Sequence, residues 1–254
     1  KNLSLRNSVP FALDAQALED GEGITMRHYS LGAFLMEPRL LSRKESVEFR
    51  QSYENIGEKT GDVKEQIASF PIDNAYFEGY WQNEDYFREN PEIIRLDFQL
   101  NDPLLPEVLE VKRTMKQTNS VAIQVRRGDY MTNPKVNSIF HICDAEYFKS
   151  GIEYLRSKFN DINIFIFSDD IKWCKKNLKF PENTTYISKL RLPDYQELFL
   201  ISYAKHTIIS NSSFGWWGAW LNENDDKIIV APKHWFKKDT EITRKIAPLS
   251  WTRI

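Results

Sequence analysis

From about residue 118 onward, short apolar runs alternate with stretches of helical spacing. The runs at 121–125, 163–167, 185–187, 206–210 and 227–231 read as strands. Between them, 144–159, 171–178, 194–204 and 214–221 read as helices. Strands that alternate with helices form parallel sheets, so the expected fold is α/β, with this half a doubly wound parallel sheet of Rossmann type. The preceding stretch 105–117 has apolar positions at Leu105, Val108, Leu109, Val111 and Met115, a helical spacing that predicts a helix and a domain boundary near 117.

The first half is less regular. The opening 2–7 reads as the end of a helix already under way, and 9–13 reads as a short strand. Residues 15–40 carry Gly21, Gly23, Gly32 and Pro38 and predict irregular backbone, and the polar stretch 42–61 predicts little. The aromatic segment 75–82 precedes a helix that starts near Glu84 and that Asn90-Pro91 is expected to interrupt. Its rings beside Gly79 fit a sugar-binding cleft or an ordinary aromatic core. The expected organisation is 1–117, a domain cut short at its start, and 118–254, with the last residues packing back on the first domain.

Composition narrows the function classes. The 254 residues are 41% hydrophobic and 28% charged, enough for a large core in one or two domains. A formal net charge of -2 gives no global attraction to nucleic acid, so any anion site is local. Two cysteines, Cys143 and Cys174, supply neither a disulfide framework nor a structural zinc spacing. Sequons begin at Asn2, Asn183 and Asn211, but nothing else indicates a secretory route. With no apolar run near ~20 residues, no membrane span is expected. The expected location is the cytoplasm, with peripheral attachment to the inner face of the membrane as the alternative.

The chemistry gathers at strand ends. The run 121–125 leads straight into Arg126-Arg127-Gly128-Asp129, and paired guanidiniums at a carboxyl strand end suit a phosphate or diphosphate; surface ion pairing is the plain alternative. Ser168-Asp169-Asp170 ends the second run, and the pair of acids suits a divalent metal, a ribose or base, or a helix cap; with two arginines supplying positive charge, no metal is expected. Ser210-Asn211-Ser212-Ser213 lies directly before the helix at Phe214, where free N–H groups attract anions or serines simply cap. Arg127-Gly128-Asp129 as an adhesion tripeptide is set aside because it abuts a core strand. His141 stands alone in the loop after the arginines, where a structural role is the plain reading.

In these residues the chain resembles the α-1,2-fucosyltransferases of glycosyltransferase family 11, over essentially its whole length. The carrying segments are 125–130, 167–170, 210–220, 231–235 and 79–82. The resemblance implies a GT-B-like pair of Rossmann-type domains and inverting transfer of L-fucose from GDP-fucose to the 2-hydroxyl of a terminal galactose in a glycan. GDP-fucose is then a substrate, with no cofactor and no obligatory metal. It makes Arg126, Arg127 and Asp129 the catalytic candidates and Gln124, Asp169, Asp170, Asn211, Ser212, Ser213 and Phe214 the donor contacts. Tyr80, Trp81, Gln82 and His141 fall on the acceptor side. Two departures stand out: Gln124 occupies the place of the family's histidine, and the chain starts after the family's first strand and glycine-rich turn. An inactive nucleotide- or glycan-binding module and a transferase using another nucleotide sugar are the alternatives.

Overall fold

A computed structural model describes residues 10–19, 29–36, 38–57, 74–180, 183–238 and 245–254. The opening helix 2–7, the Asn2 sequon, Gly21, Gly23 and residues 58–73 lie outside them. The chain forms two compact units, 1–101 and 102–254. The boundary expected near 117 therefore falls at 101/102.

In the first unit β1 (Ala12–Leu13) pairs in parallel with β2 (Arg39–Leu40), and β3 (Glu54–Gly57) with β4 (Ala75–Glu78). A short helix α1 (Gln16–Glu19) follows β1. The polar stretch after residue 42 holds α2 (Arg43–Ser52), which starts from a capping box in which Ser42 accepts from the Glu45 N–H and Glu45 reaches back to Ser42. Asp14 ties these pieces together, accepting from Ser46 Oγ, Arg50 and the Tyr76 hydroxyl. Burial opposes its charge, and the hydrogen bonds from Ser46, Gln16, Tyr76 and Arg50 outweigh burial to hold the carboxyl below its usual range. Near Glu84 there is one 3-10 turn, Glu84–Tyr86. Pro91 starts helix α3 (Pro91–Asp97) rather than interrupting one, because a proline at the first helical position loses no hydrogen bond.

The second unit opens with α4 (Pro106–Gln117), the helix expected at 105–117. It belongs here because Val108, Val111 and Met115 pack on Ala122, Phe165, Phe167, Leu200 and Ile201. A buried glutamine fixes the lead-in: Gln196 accepts from the Leu105 N–H and donates to the Pro103 carbonyl. Six parallel strands follow: β5 (Asn119–Val125), β6 (Ile162–Ser168), β7 (Thr184–Tyr186), β8 (His206–Ile209), β9 (Ile229–Ala231) and β10 (Thr252–Arg253). Their order is β10-β9-β8-β5-β6-β7. The last residues thus form a strand at one edge of this sheet, paired with β9.

Successive side chains of β5 and β6 serve opposite faces, so both faces are apolar. Val121, Ile123, Val125, Ile164, Ile166, Ile208 and Val230 pack with Phe148, Ile152 and Leu155 of α7 (Ala145–Arg156) and with Cys174 of α8 (Ile171–Asn177). The opposite face takes α4 and α9 (Asp194–Tyr203). Between β5 and α7 lie two short helices, α5 (Gly128–Thr132) and α6 (Pro134–Ile139), where no element was expected. Helix α10 (Ser213–Trp220) follows β8.

The strand order decides where a ligand goes. The chain moves outward from β5 through β6 to β7, then returns to β8 on the other side of β5 and moves outward to β10. This is the doubly wound order, and its switch point lies between β5 and β8, where ligands bind at the carboxyl ends.

Candidate active site

The arginines follow β5 and the serine turn follows β8, so the two segments flank the switch point. They are tied together. The Arg126 N–H donates to Ser210 Oγ at 3.0 Å, and both the N–H and the hydroxyl of Ser210 donate to the Gln124 carbonyl, each at 3.0 Å.

Side chains then fix both guanidiniums. Arg126 bridges Asp129 at 2.6 Å and Asp169 at 2.8 Å, and its carbon lies 5.7 Å from the centre of the Tyr130 ring. Arg127 lies 3.9 Å from the centre of the Trp173 ring and 3.8 Å from an Asp170 oxygen, and its own N–H donates to Asp169 at 2.8 Å. The Arg127 Nε is buried with no hydrogen-bond acceptor among the described residues. Gly128 allows this closeness, since a Cβ there would stand 2.8 Å from Asp169 Oδ2. Asp170 caps α8 by accepting from the Trp173 N–H at 3.0 Å.

Two arginines and three aspartates meet here, so formal charge gives no net positive patch. The site instead presents directed N–H donors. Helix α10 adds to them: Ser212 is its N-cap, makes no capping bond with its side chain, and the first intrahelical bond runs from the Trp216 N–H to the Ser212 carbonyl at 2.9 Å. The N–H groups of its first turn have no partner within the helix, and the dipole favours an anion beside them.

Asn211 is almost fully buried, and its amide is used within the protein. Nδ2 donates to the carbonyls of His141 and Trp235 at 2.7 and 2.6 Å, and Oδ1 accepts from Cys143 Sγ at 3.6 Å. Its carbonyl accepts from the Tyr130 hydroxyl at 2.8 Å. Asn211 therefore joins the segments after β5, β8 and β9, and what it does is hold them in place. One result is that the His141 and His234 rings stand 5.9 Å apart, edge to face. Burial and His234 both lower the His141 pKa. The two thiols are buried, which pushes Cys143 up to about 12 and Cys174 to about 11, outside the range of reactive thiolates.

The Gln124 side chain lies on the face shared with Ala122 and reaches the first turn of α10. A Cβ on Gly215 would meet its Oε1 at 2.5 Å, and that oxygen is buried without a hydrogen-bond partner among the described residues. Phe214 packs against the Leu200 and Ile201 cluster. In the first unit Tyr80 is exposed, the Trp81 ring lies 5.8 and 5.5 Å from Phe77 and Tyr86, and Gln82 is buried with Nε2 unbonded among the described residues. Trp81 adopts the left-handed region at φ 49, an uncommon conformation for a bulky residue. Sequence reasoning missed Tyr130, Trp173 and Ser210 as supports of the arginines. Only Ser210 carried a signal, as the first residue of the serine turn.

A doubly wound sheet takes ligands at its switch point, and here two arginines and a helix N-terminus meet there. The sequence model of "Glycosyl transferase family 11" matches residues 46–254, and the chain belongs to that family. It is 39% identical over 189 residues to an "Alpha-1,2-colitosyltransferase" of Escherichia coli, covering 70% of this chain and 62% of that one. It is 30% identical over 181 residues to the "O-antigen biosynthesis glycosyltransferase WbnK" of Escherichia coli, covering 69% and 59%. A "Galactoside 2-alpha-L-fucosyltransferase Sec1" of Mus musculus is 26% identical over 174 residues, covering 64% and 46%. The chain thus spans about half to six tenths of the length of these relatives.

Proposed function

We propose that this protein transfers L-fucose from GDP-fucose to the 2-hydroxyl of a terminal galactose, with inversion and with no metal required. The observation that carries the reading is the convergence of Arg126, Arg127 and the N-terminus of α10 on the switch point, in a chain of this family. Their donors suit the diphosphate and the one further negative charge that grows on its β-phosphate as the sugar departs. Arg126, locked by Asp129 and Asp169, meets that charge without reorganising, and Arg127 is held against Trp173 for the same purpose. Ser212, Ser213 and the first N–H groups of α10 bind the other side of the diphosphate. The acceptor hydroxyl attacks the sugar carbon from the face opposite the leaving phosphate, which inverts the centre, and it gives up its proton to solvent as the new bond forms and the bond to the phosphate oxygen breaks. Asp129, engaged with Arg126, positions that arginine rather than taking the acceptor's proton.

A second reading concerns the sugar. The names of two relatives share the linkage to position 2 and differ in the sugar transferred, colitose or fucose, and colitose is L-fucose without its 3-hydroxyl. A donor pocket that hydrogen-bonds this hydroxyl discriminates steeply, by up to about 10⁴-fold or more. The test offers GDP-fucose and GDP-colitose separately, with lactose as acceptor and EDTA present, and determines the linkage of any product. A 2-linked fucoside supports the first reading, a 2-linked colitoside the second. Release of free sugar or a product of other linkage overturns both.

A further inference from the structure

The chain has a formal net charge of -2, yet residues 171–191 hold six cations, Lys172, Lys175, Lys176, Lys179, Lys189 and Arg191, against one acid, Glu182. That stretch is a basic island on an acidic protein. All six cations are exposed, and none has an acidic partner among the described residues. This differs from Arg50, Arg88 and Arg126, each of which is ion-paired.

The island is contiguous. Lys172, Lys175 and Lys176 fall on one face of α8, three and four residues apart, while Cys174 of the same helix packs inward. The Lys175 and Lys189 ammoniums, from α8 and from the turn after β7, share the Tyr186 ring at 5.6 and 5.4 Å from its centre. Such crowding of like charges is unfavourable unless an anion lies outside it, and the hydrogen bond from Lys189 already pushes the Lys175 ammonium down from its usual range. Leu190 is exposed between Lys189 and Arg191, and Arg191 adopts the left-handed region at φ 54 to make the turn.

We infer that this edge of the sheet docks on an anionic phospholipid surface. Cations in excess together with one protruding leucine suit a headgroup layer, where ammoniums meet lipid phosphates and a short apolar side chain reaches the acyl boundary. Single-stranded nucleic acid is a poorer fit, because it stacks bases on open rings and the Tyr186 ring is already covered by two ammoniums. The geometry also gives the contact a use. Lys189, Leu190 and Arg191 follow the carboxyl end of β7, the same end of the sheet as the arginine crevice, so docking presents the crevice toward acceptors displayed at a membrane. No helix of the described residues is long and apolar enough to cross one.

The full chain is sedimented with vesicles of phosphatidylcholine alone and of phosphatidylcholine with about 40 mol% phosphatidylglycerol, at about 0.05 and 0.5 M NaCl. Binding only to the anionic vesicles, weakened at least about tenfold by the higher salt, is expected. Each basic residue at such a surface contributes roughly fivefold, so Lys175→Glu/Lys189→Glu/Arg191→Glu loses at least about a hundredfold in partition with an unchanged melting temperature. Leu190→Ser loses a smaller, salt-insensitive part. If the triple variant melts early, Lys175→Gln/Lys189→Gln serves in its place, with a loss of about twentyfold. Equal binding to both vesicles, no binding to either, variants that bind like the native chain, or capture of an oligonucleotide in preference to vesicles would each overturn the inference.

Discussion

Glu197 is a half-buried acid that the proposed chemistry does not use, and it carries a sharp prediction about stability. It lies in the first turn of α9, accepts from Ser188 Oγ at 3.0 Å, and Ser188 Oγ in turn accepts from the Ser168 N–H at 3.0 Å at the end of β6. Burial pushes its pKa from 4.5 up to about 7, and Asp194 pushes it the same way against the bond from Ser188. The folded protein therefore holds this proton more tightly than the unfolded chain does. Between about pH 4.5 and 7 the group withdraws stability as pH rises, and above 7 the full cost is present. A rise of about 2.5 units at ~1.36 kcal/mol per unit amounts to roughly 3 kcal/mol. Glu197→Gln keeps a carbonyl oxygen for the Ser188 hydroxyl and removes the charge. Urea unfolding at pH 8 should show a gain approaching ~3 kcal/mol, and at pH 4.5 almost none. An equal gain at both pH values, or a loss at pH 8, would refute the assignment of the cost to a buried charge.

Other substitutions test the site. Arg126→Ala should lower kcat about 10²- to 10³-fold at saturating donor, as removal of one preorganised donor of developing charge does, with the fold retained by circular dichroism. Asn211→Ala leaves the carbonyls of His141 and Trp235 unpaired and should cost about 2 to 4 kcal/mol in denaturant titration; a loss under ~0.5 kcal/mol would contradict its role as the tie between three segments. Gly128→Ala places a methyl 2.8 Å from Asp169 Oδ2 and should raise the donor KM several-fold by displacing the carboxylate that aligns Arg126 and the Arg127 N–H.

What was legible in the sequence, and what was not, follows from the range of the forces. The strands of the second unit could be read because burial on both faces leaves nearly continuous apolar runs, and the arginines could be placed because they directly follow one. Helix α2 was written in the capping box Ser42 to Glu45, but its sparse apolar positions hid it. The allegiance of α4 to the second unit depends on packing against Phe165, Phe167, Leu200 and Ile201, with Gln196 fixing its lead-in from some ninety residues away, and local pattern cannot show such contacts. Strand β10 is two residues long, Thr252 and Arg253, and has no period to detect. The same limit applies in the site. Arg127 was visible, but the Trp173 ring beneath it comes from the helix after the next strand, and the use of the Asn211 amide depends on carbonyls from two other loops. Gln124 was placed among the donor contacts because it stands where the family has a histidine, and its contact with Gly215 at the start of α10 depends on a turn some ninety residues away.

The central claim is that the switch-point crevice binds the diphosphate of a nucleotide sugar. The most direct test is a crystal structure of the protein with GDP. Phosphate oxygens within hydrogen-bonding distance of Arg126 or Arg127 and of the Ser213 N–H are the predicted result; a diphosphate bound elsewhere, with the Asp129–Arg126–Asp169 bridge facing only solvent, would contradict the account.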